Sequence, residues 1–214
     1  GRIAEDVPGK MSLNALVKGK NPLVDLKIAL ESGYRLSPSR QEYALTGLNL
    51  RVDGAAAEFS RLALALTGEV RADLAKENVS ADLTAKFDET TIKAKAAMTK
   101  FAAPHYGFDV DVDKINLDRY LAASPKAKPA PGAGAKVDVD VPVDLSGLKG
   151  LNADGKLAVG ALQVQGLKLT EVKTQLRAAG GRADLAPHSA KLYEGTLAGA
   201  LTLNASGNRI ALKE

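Results

Sequence analysis

Two histidines, a run of alternating aspartates and one glycine-rich stretch are the places where this sequence offers chemistry. His105, in Ala-Ala-Pro-His-Tyr-Gly, and His188, in Leu-Ala-Pro-His-Ser-Ala, each follow a proline, a turn-like context that reads as a solvated loop histidine. A Ser-His-Asp relay needs its nucleophile on a strained elbow of the Gly-x-Ser-x-Gly kind, and no such segment occurs. Asp109, Asp111, Asp113, Asn116 and Asp118 have the oxygen content of a calcium loop. Such a loop requires glycine at its sixth position and a bidentate glutamate at its twelfth, where this chain has Lys114 and Tyr120. The intervening Val110 and Val112 instead place the carboxylates on the outer face of a strand, and Asp138 and Asp140 repeat the arrangement. Gly132-Ala-Gly134-Ala-Lys136 lacks the Lys-Ser/Thr ending of a phosphate loop and follows Pro129 and Pro131 where a strand should precede it. The expectation is a non-enzymatic chain with no catalytic residue, metal ligand or cofactor.

Composition narrows the class further. Of 214 residues 45% are apolar and 25% charged, enough for a substantial core, but aromatics make up 4% and tryptophan is absent. Single-strand nucleic-acid binders stack bases on aromatic rings, and phosphate backbones need a concentrated basic stripe. Here 29 basic and 25 acidic residues are interspersed for a net charge of +4, so no nucleic-acid partner is expected. The absence of cysteine excludes disulfides, thiol nucleophiles and Cys-bound zinc. No apolar run approaches the roughly 18 residues that span a bilayer. The opening Gly-Arg-Ile-Ala-Glu-Asp-Val-Pro reads as a cut into a longer protein.

The elements that position these residues announce themselves by alternation of period two, the mark of half-buried strands. Met11, Leu13, Ala15 and Val17 begin it, followed by Leu26, Ile28 and Leu30, then Leu48, Leu50 and Val52, and Leu62, Leu64 and Leu66. Val70, Ala72 and Leu74 lead to Val79, Ala81, Leu83, Ala85 and Phe87, and Phe108, Val110 and Val112 close the first half. Ile92, Ala94, Ala96 and Met98 keep the same period, although their alanine and lysine content also suits a helix. Gly33, Gly54, Gly68, Asn78 and Gly107 fall between the runs and are read as strand boundaries. Without crossover helices the pairing must be antiparallel.

Residues 122–136, Ala-Ala-Ser-Pro-Lys-Ala-Lys-Pro-Ala-Pro-Gly-Ala-Gly-Ala-Lys, break the pattern and form a linker. The organisation is thus an antiparallel β region over 1–121, the linker, and a second β region over 137–214, which either continues the first sheet or stands apart. In the second region Leu145, Leu148 and Leu151 recur at threes behind Asp144, which predicts one short helical turn. Alternation then resumes, with breaks at Gly166, Gly180–Gly181, Gly195 and Gly207. The fold class is all-β: an antiparallel sheet of many short strands, curled or sandwich-like, with one or two short helical turns. Small residues recur on the apolar phase. Ala81, Leu83, Ala85, Phe87, Ala94, Ala96 and Met98 are therefore the candidate surface for a thin apolar ligand such as an acyl chain, with a packed sandwich core as the alternative.

From Asp118 onward the chain resembles the C-terminal region of the AsmA family. The resemblance is carried by Asp118-Arg119-Tyr120-Leu121, then Asp144-Leu145 and Leu148, then Leu151-x-Ala153-x-Gly155-x-Leu157-x-Val159, Leu162 and Gly166-Leu167. Gly180–Gly181, Leu185-Ala186-Pro187 and Ala190-x-Leu192-Tyr193-Glu194-Gly195-x-x-x-Gly199 complete it, the last being the most specific. Gly195 suits a tight turn after Leu192, and Gly199 a bulge or close backbone approach. The resemblance implies a periplasmic protein of the Gram-negative envelope, held to the inner membrane by a helix outside this sequence. It implies a role in outer-membrane biogenesis by phospholipid transport or handling along an apolar groove. A protein-interaction scaffold that influences outer-membrane protein assembly and targeting is the alternative, and a surface adhesin of similar strands a third reading. The family supplies no catalytic residue.

Overall fold

The computed structural model describes residues 6–20, 23–56, 59–121, 146–164, 166–192, 195–205 and 209–213. The linker expected at 122–136 lies outside them, as do Asp138, Asp140, Asp144, Tyr193 and Gly207. The protein is all-β. Its strands are β1 (Gly9–Lys20), β2 (Leu23–Ser37), β3 (Glu42–Ala56), β4 (Phe59–Asp73), β5 (Asn78–Phe87), β6 (Thr90–Thr99), β7 (His105–Asn116), β8 (Ala153–Val164), β9 (Leu167–Ala179), β10 (Arg182–Leu192), β11 (Gly195–Asn204) and β12 (Arg209–Lys213). A single turn of helix, α1 (Asp118–Leu121), and a 3-10 turn at Ser146–Gly150 complete the elements; the latter is the short helical turn expected around Leu148. Two compact units divide between Asp113 and Lys114. Among the described residues no helix is long and apolar enough to cross a membrane.

In the first unit each strand pairs antiparallel with the next, so the order in the sheet is the order in the chain. Ile92–Met98, ambiguous by composition, is strand because β6 is held by a full ladder to β5 on one side and to β7 on the other. Tertiary pairing overrides the helix preference of alanine and lysine.

The strands are longer than the short ones expected, ten to fifteen residues in this unit. The reason corrects the reading of the glycines. Gly33, Gly54, Gly68 and Gly107 do not separate strands but lie inside β2, β3, β4 and β7. Gly47, at φ +59, inserts an extra residue into β3, and the ladders to β2 and β4 both shift register beside it. Gly68 has φ +147, and a Cβ there would sit 2.0 Å from the Asp82 carbonyl oxygen on β5; Gly54 meets Asp25 of β2 in the same way. These glycines let two backbones approach closely while the strand bends and its ladder continues.

The second unit is a shorter antiparallel succession, β8 to β12. Its small core is the directly opposed row Ala153–Ala178–Ala183, packed against Leu148, Leu151, Leu176 and Leu203, so the 3-10 turn closes that end of the sheet. Alanines suit this row because the turn can seat against the strands with little side-chain volume between. On the neighbouring row Asp154, Arg177, Asp184 and Thr202 stand directly opposite one another. Asp184 accepts bonds from Arg182 Nε at 2.9 and 3.0 Å, from Arg182 Nη2 at 2.7 Å and from Thr202 Oγ1 at 2.6 Å. In β10 the register slips between Leu185 and His188, across Pro187, which has no N–H for the ladder.

Two outcomes test this account. Gly68→Ala should destabilise the first unit by at least about 2 kcal/mol, because it forces an L residue into a glycine conformation against backbone. Gly107→Ala, whose Cβ meets nothing within 4 Å, should stay within about 1 kcal/mol of the parent in the same urea titration. The Arg182 guanidinium, and after it the Thr202 hydroxyl, hold the Asp184 carboxyl below its ordinary value. A carboxyl depressed by folding stabilises the folded chain above the unfolded pKa of about 3.9, and that contribution disappears as pH falls through the folded value. Asp184→Asn should therefore flatten the acid limb of the stability profile below about pH 4 and leave its shape at neutral pH unaltered.

Candidate functional site

Side chains directly opposed in an antiparallel ladder lie on the same side of the sheet. Followed strand by strand, the registers of the first unit assemble one continuous apolar side. A row runs Leu13, Leu30, Leu50, Leu66, Ala85, Ile92, Val112 across all seven strands. Parallel to it run Leu48, Gly68, Leu83, Ala94, Val110 and Tyr34, Leu45, Val70, Ala81, Ala96, Phe108. Leu36, Tyr43, Ala72, Val79, Met98, Tyr106 form the row nearest one end. Ser32 and Thr90 are the polar interruptions; both are buried, and Ser32 donates to the Gly33 carbonyl at 2.8 Å.

All seven candidate ligand-facing residues sit on this side, and the ladder brings them together: Leu83 faces Ala94, Ala81 faces Ala96, and Phe87, Ala85 and Met98 flank them. Ala81, Ala85, Ala94 and Ala96 form a trough of short side chains along β5 and β6 that Leu83 interrupts. Leu64, Leu66 and Val70 stand on its β4 side, and Phe108, Val110 and Val112 on its β7 side.

Among the described residues no second layer covers this side within the unit. Contacting strands are sheet neighbours, not face-to-face partners. Among the described residues of the first unit Val112 is the one buried hydrophobic, and the rest of the apolar side is half-buried against its own neighbours or exposed. Apolar area left in this state is an unmet driving force for binding.

The opposite side is polar and carries charges of both signs, with Glu42 opposite Asp73 and Glu69 opposite Asp82 as like-charge pairs. Lys18 faces Asp25, Lys27 faces Asp53, Lys93 faces Asp111, and Lys95 lies between Asp82, at 3.5 Å, and Asp109. A hollow of about 430 Å³ opens here over Ser80, Ala97 and Gly107, rimmed by Glu69, Arg71, Asp82, Lys95 and Asp109. Alternating signs on its rim favour water over a ligand of one charge.

Of the aspartates weighed as a calcium loop, Asp109, Asp111 and Asp113 lie exposed on this polar side of β7, Asp113 Oδ1 accepts the Thr91 N–H at 2.7 Å, and Asp118 lies beyond the strand in α1. Among the described residues no group of three or more metal-ligating side chains comes together. The histidines are not loop residues as their Pro-His context suggested: His105 opens β7 opposite Thr99, and His188 lies in β10 opposite Gly199. The proline before each marks a strand start in one case and a bulge in the other, positions where its missing N–H is tolerated.

Of the residues that carried the AsmA resemblance, Asp118 has a defined task. Its Oδ2 accepts Gln163 Nε2 at 3.1 Å and the Gly166 N–H at 3.0 Å, while the Leu117 N–H bonds the Gln163 carbonyl at 2.9 Å. Asp118 thus pins the turn between β8 and β9, with Arg119, Tyr120 and Leu121 following it in α1. Gly155 lies in β8 opposite Leu176, Leu192 pairs with Gly195 where β10 gives way to β11, and Gly199 faces the bulged stretch of β10. These positions are turn and strand devices of the second unit, apart from the apolar trough. Comparison with protein-family models, curated proteins and solved structures finds no match to this chain.

Sequence reasoning nominated two strands of the apolar side and missed its reach across the other five. The period-two runs were visible in all of them, but which runs share a face is decided by register alone. Asp118→Ala removes a carboxylate that accepts two N–H bonds and should cost the second unit about 1.5–3 kcal/mol. Hydrogen exchange resolved by segment should show faster opening around Gln163–Leu167 with the first unit unaffected.

Proposed function

We propose that the apolar side of β1–β7 holds the acyl chains of phospholipids. The chain is then a non-enzymatic periplasmic segment of an AsmA-like protein, anchored in the inner membrane and acting in outer-membrane biogenesis. The observation that carries this reading is the apolar side, seven strands wide, on which no layer packs among the described residues. Each methylene taken from water onto such a surface is worth about 0.8 kcal/mol, so an acyl chain has ample driving force even after ordering costs. The alanine trough gives a linear chain room to lie between taller leucine, valine and phenylalanine side chains. The charged opposite side keeps the same sheet soluble. The resemblance to the AsmA family from Asp118 onward supports the compartment and the process. A scaffold that recruits partner proteins by strand addition is the second reading.

The test is the phospholipid content of the chain purified without detergent from a Gram-negative host, measured by native mass spectrometry and lipid extraction. The parent should carry phospholipid. Leu83→Asp and Ala94→Asp, which place a carboxylate in the trough, should lower it at least about tenfold, because the charge must stay hydrated. Lys93→Gln on the polar side should leave it unchanged. Circular dichroism confirms that each variant keeps its strands. A parent free of lipid, or trough variants that carry as much as the parent, sinks the proposal.

A further inference from the structure

Where β2 turns into β3 and β4 into β5, the polar side of the first unit carries a hollow of about 300 Å³. The ladders build it from two rows of directly opposed residues. Ser37, Glu42, Asp73 and Asn78 form the outer row, and Arg35, Ala44, Arg71 and Ser80 the inner one. All eight line the hollow, and Asp6 adds a third carboxylate to it. Ala44 ends at Cβ, so the floor is low between the two arginines. The Leu74 N–H bonds the Gln41 carbonyl at 3.0 Å and ties one hairpin turn to the next, which fixes the outer wall. Charge is thus sorted by row, carboxylates outside and guanidiniums inside, whereas the neighbouring hollow over Ala97 and Gly107 mixes the two signs on its rim.

Not every group here is satisfied by the chain. Arg71 pairs with Glu69 at 2.9 Å, and Asp73 with Lys76 at 2.7 Å. Arg35 and Glu42 are diagonal neighbours, yet neither makes an ion pair or side-chain hydrogen bond among the described residues. Glu42 instead stands opposite Asp73, a like-charge opposition that destabilises the ladder and that a further cation would relieve. Ser37 is 2% exposed, and its Oγ has no hydrogen-bond partner among the described residues. A hydroxyl buried in a polar hollow without a partner is costly, and it marks a place where a bound group can donate or accept.

An unpaired guanidinium one row from an unpaired carboxylate and an unpaired hydroxyl suits a ligand of both signs. Two residues along a strand span about 6.6 Å, so the ligand's charges must lie roughly that far apart. An α-amino acid, with both charges on one carbon, is too short. A phosphoethanolamine group, whose ammonium and phosphate are joined through two methylenes, comes close when extended. We infer that this hollow binds a zwitterion of the phosphoethanolamine class. The ammonium donates to Glu42 and to Ser37 Oγ, and the phosphate accepts from Arg35 and Arg71 across Ala44. The hollow lies on the side of the sheet away from the acyl-chain surface, and the inference does not rest on that reading.

Titration of the full chain with glycerophosphoethanolamine, followed by amide chemical shifts, tests it. Shifts should concentrate at Ser37, Ala44 and Ser80. The zwitterion should bind at least about tenfold more tightly than glycerol 3-phosphate or ethanolamine, each of which engages one row. Arg35→Gln should lower its affinity to that of ethanolamine, and Glu42→Gln to that of glycerol 3-phosphate; both positions are exposed. Ser37→Ala should weaken binding about threefold without lowering the urea midpoint, since the hydroxyl it removes bonds nothing in the free chain. Flotation with phosphatidylcholine vesicles, with and without phosphatidylethanolamine, separates the two sources of this group. It is done on the Leu83→Asp chain so that the trough takes no part. Flotation that requires phosphatidylethanolamine and is lost with Arg35→Gln assigns the group to a lipid, and soluble binding without flotation assigns it to a free phosphodiester. Equal affinity for the three soluble probes, shifts confined to other strands, or variants that bind like the parent overturn the inference.

Discussion

Registry of apolar side chains across seven consecutive ladders is the constraint on which the first unit rests. A sheet with two layers can tolerate a strand whose phase is imperfect, because the facing layer compensates. Here each apolar side chain has little but its neighbours on adjacent strands to shelter it. A slip of one residue in any ladder would send that strand's leucines and valines to the charged side and bring lysines and aspartates to the apolar one. The row from Leu13 to Val112 is the visible result of the correct phase at every step. On the other side these registers bring Lys27 opposite Asp53 and Lys95 opposite Asp82 and Asp109, and also Glu42 opposite Asp73 and Glu69 opposite Asp82, so the charges add little to the apolar phase in setting them.

Long strands in a single layer must also bend, and the bend cannot break the ladder without losing the registry. The glycines inside β3 and β4 reconcile the two demands. At Gly54 and Gly68 the backbone adopts a conformation closed to other residues and approaches its neighbour's carbonyl more closely than any Cβ allows. At Gly47 one extra residue is absorbed while Leu45 and Leu48 stay on the apolar side. The unusual backbone geometry is thereby confined to a few residues, and the alternation survives on both sides of each.

The two units spend their sequences differently. The second buries Ala153, Ala178 and Ala183 beneath a 3-10 turn and fixes its β8–β9 connection through Asp118, so part of its apolar side is consumed in its own stability. The first leaves nearly all of that side available. The first unit thus draws its stability from ladders and cross-strand pairs, and the acyl-chain proposal rests on that difference.

From the residues alone, the all-β class, the antiparallel pairing, the strand phase of Val79–Phe87 and the outward placement of Asp109, Asp111 and Asp113 are legible. They depend on local alternation, which a linear sequence displays directly. The short turn near Leu148 and the hairpin closure at Leu192–Gly195 are legible for the same reason. What alternation does not contain is which runs share a side, and whether a glycine interrupts a strand or bends it. Both are settled by hydrogen-bond partners on neighbouring strands, residues as far apart in sequence as Asp25 and Gly54 or Gly68 and Asp82. The candidate site was thus readable in pieces, as seven residues of β5 and β6. Only the registers of the folded sheet joined those pieces into one uncovered apolar side.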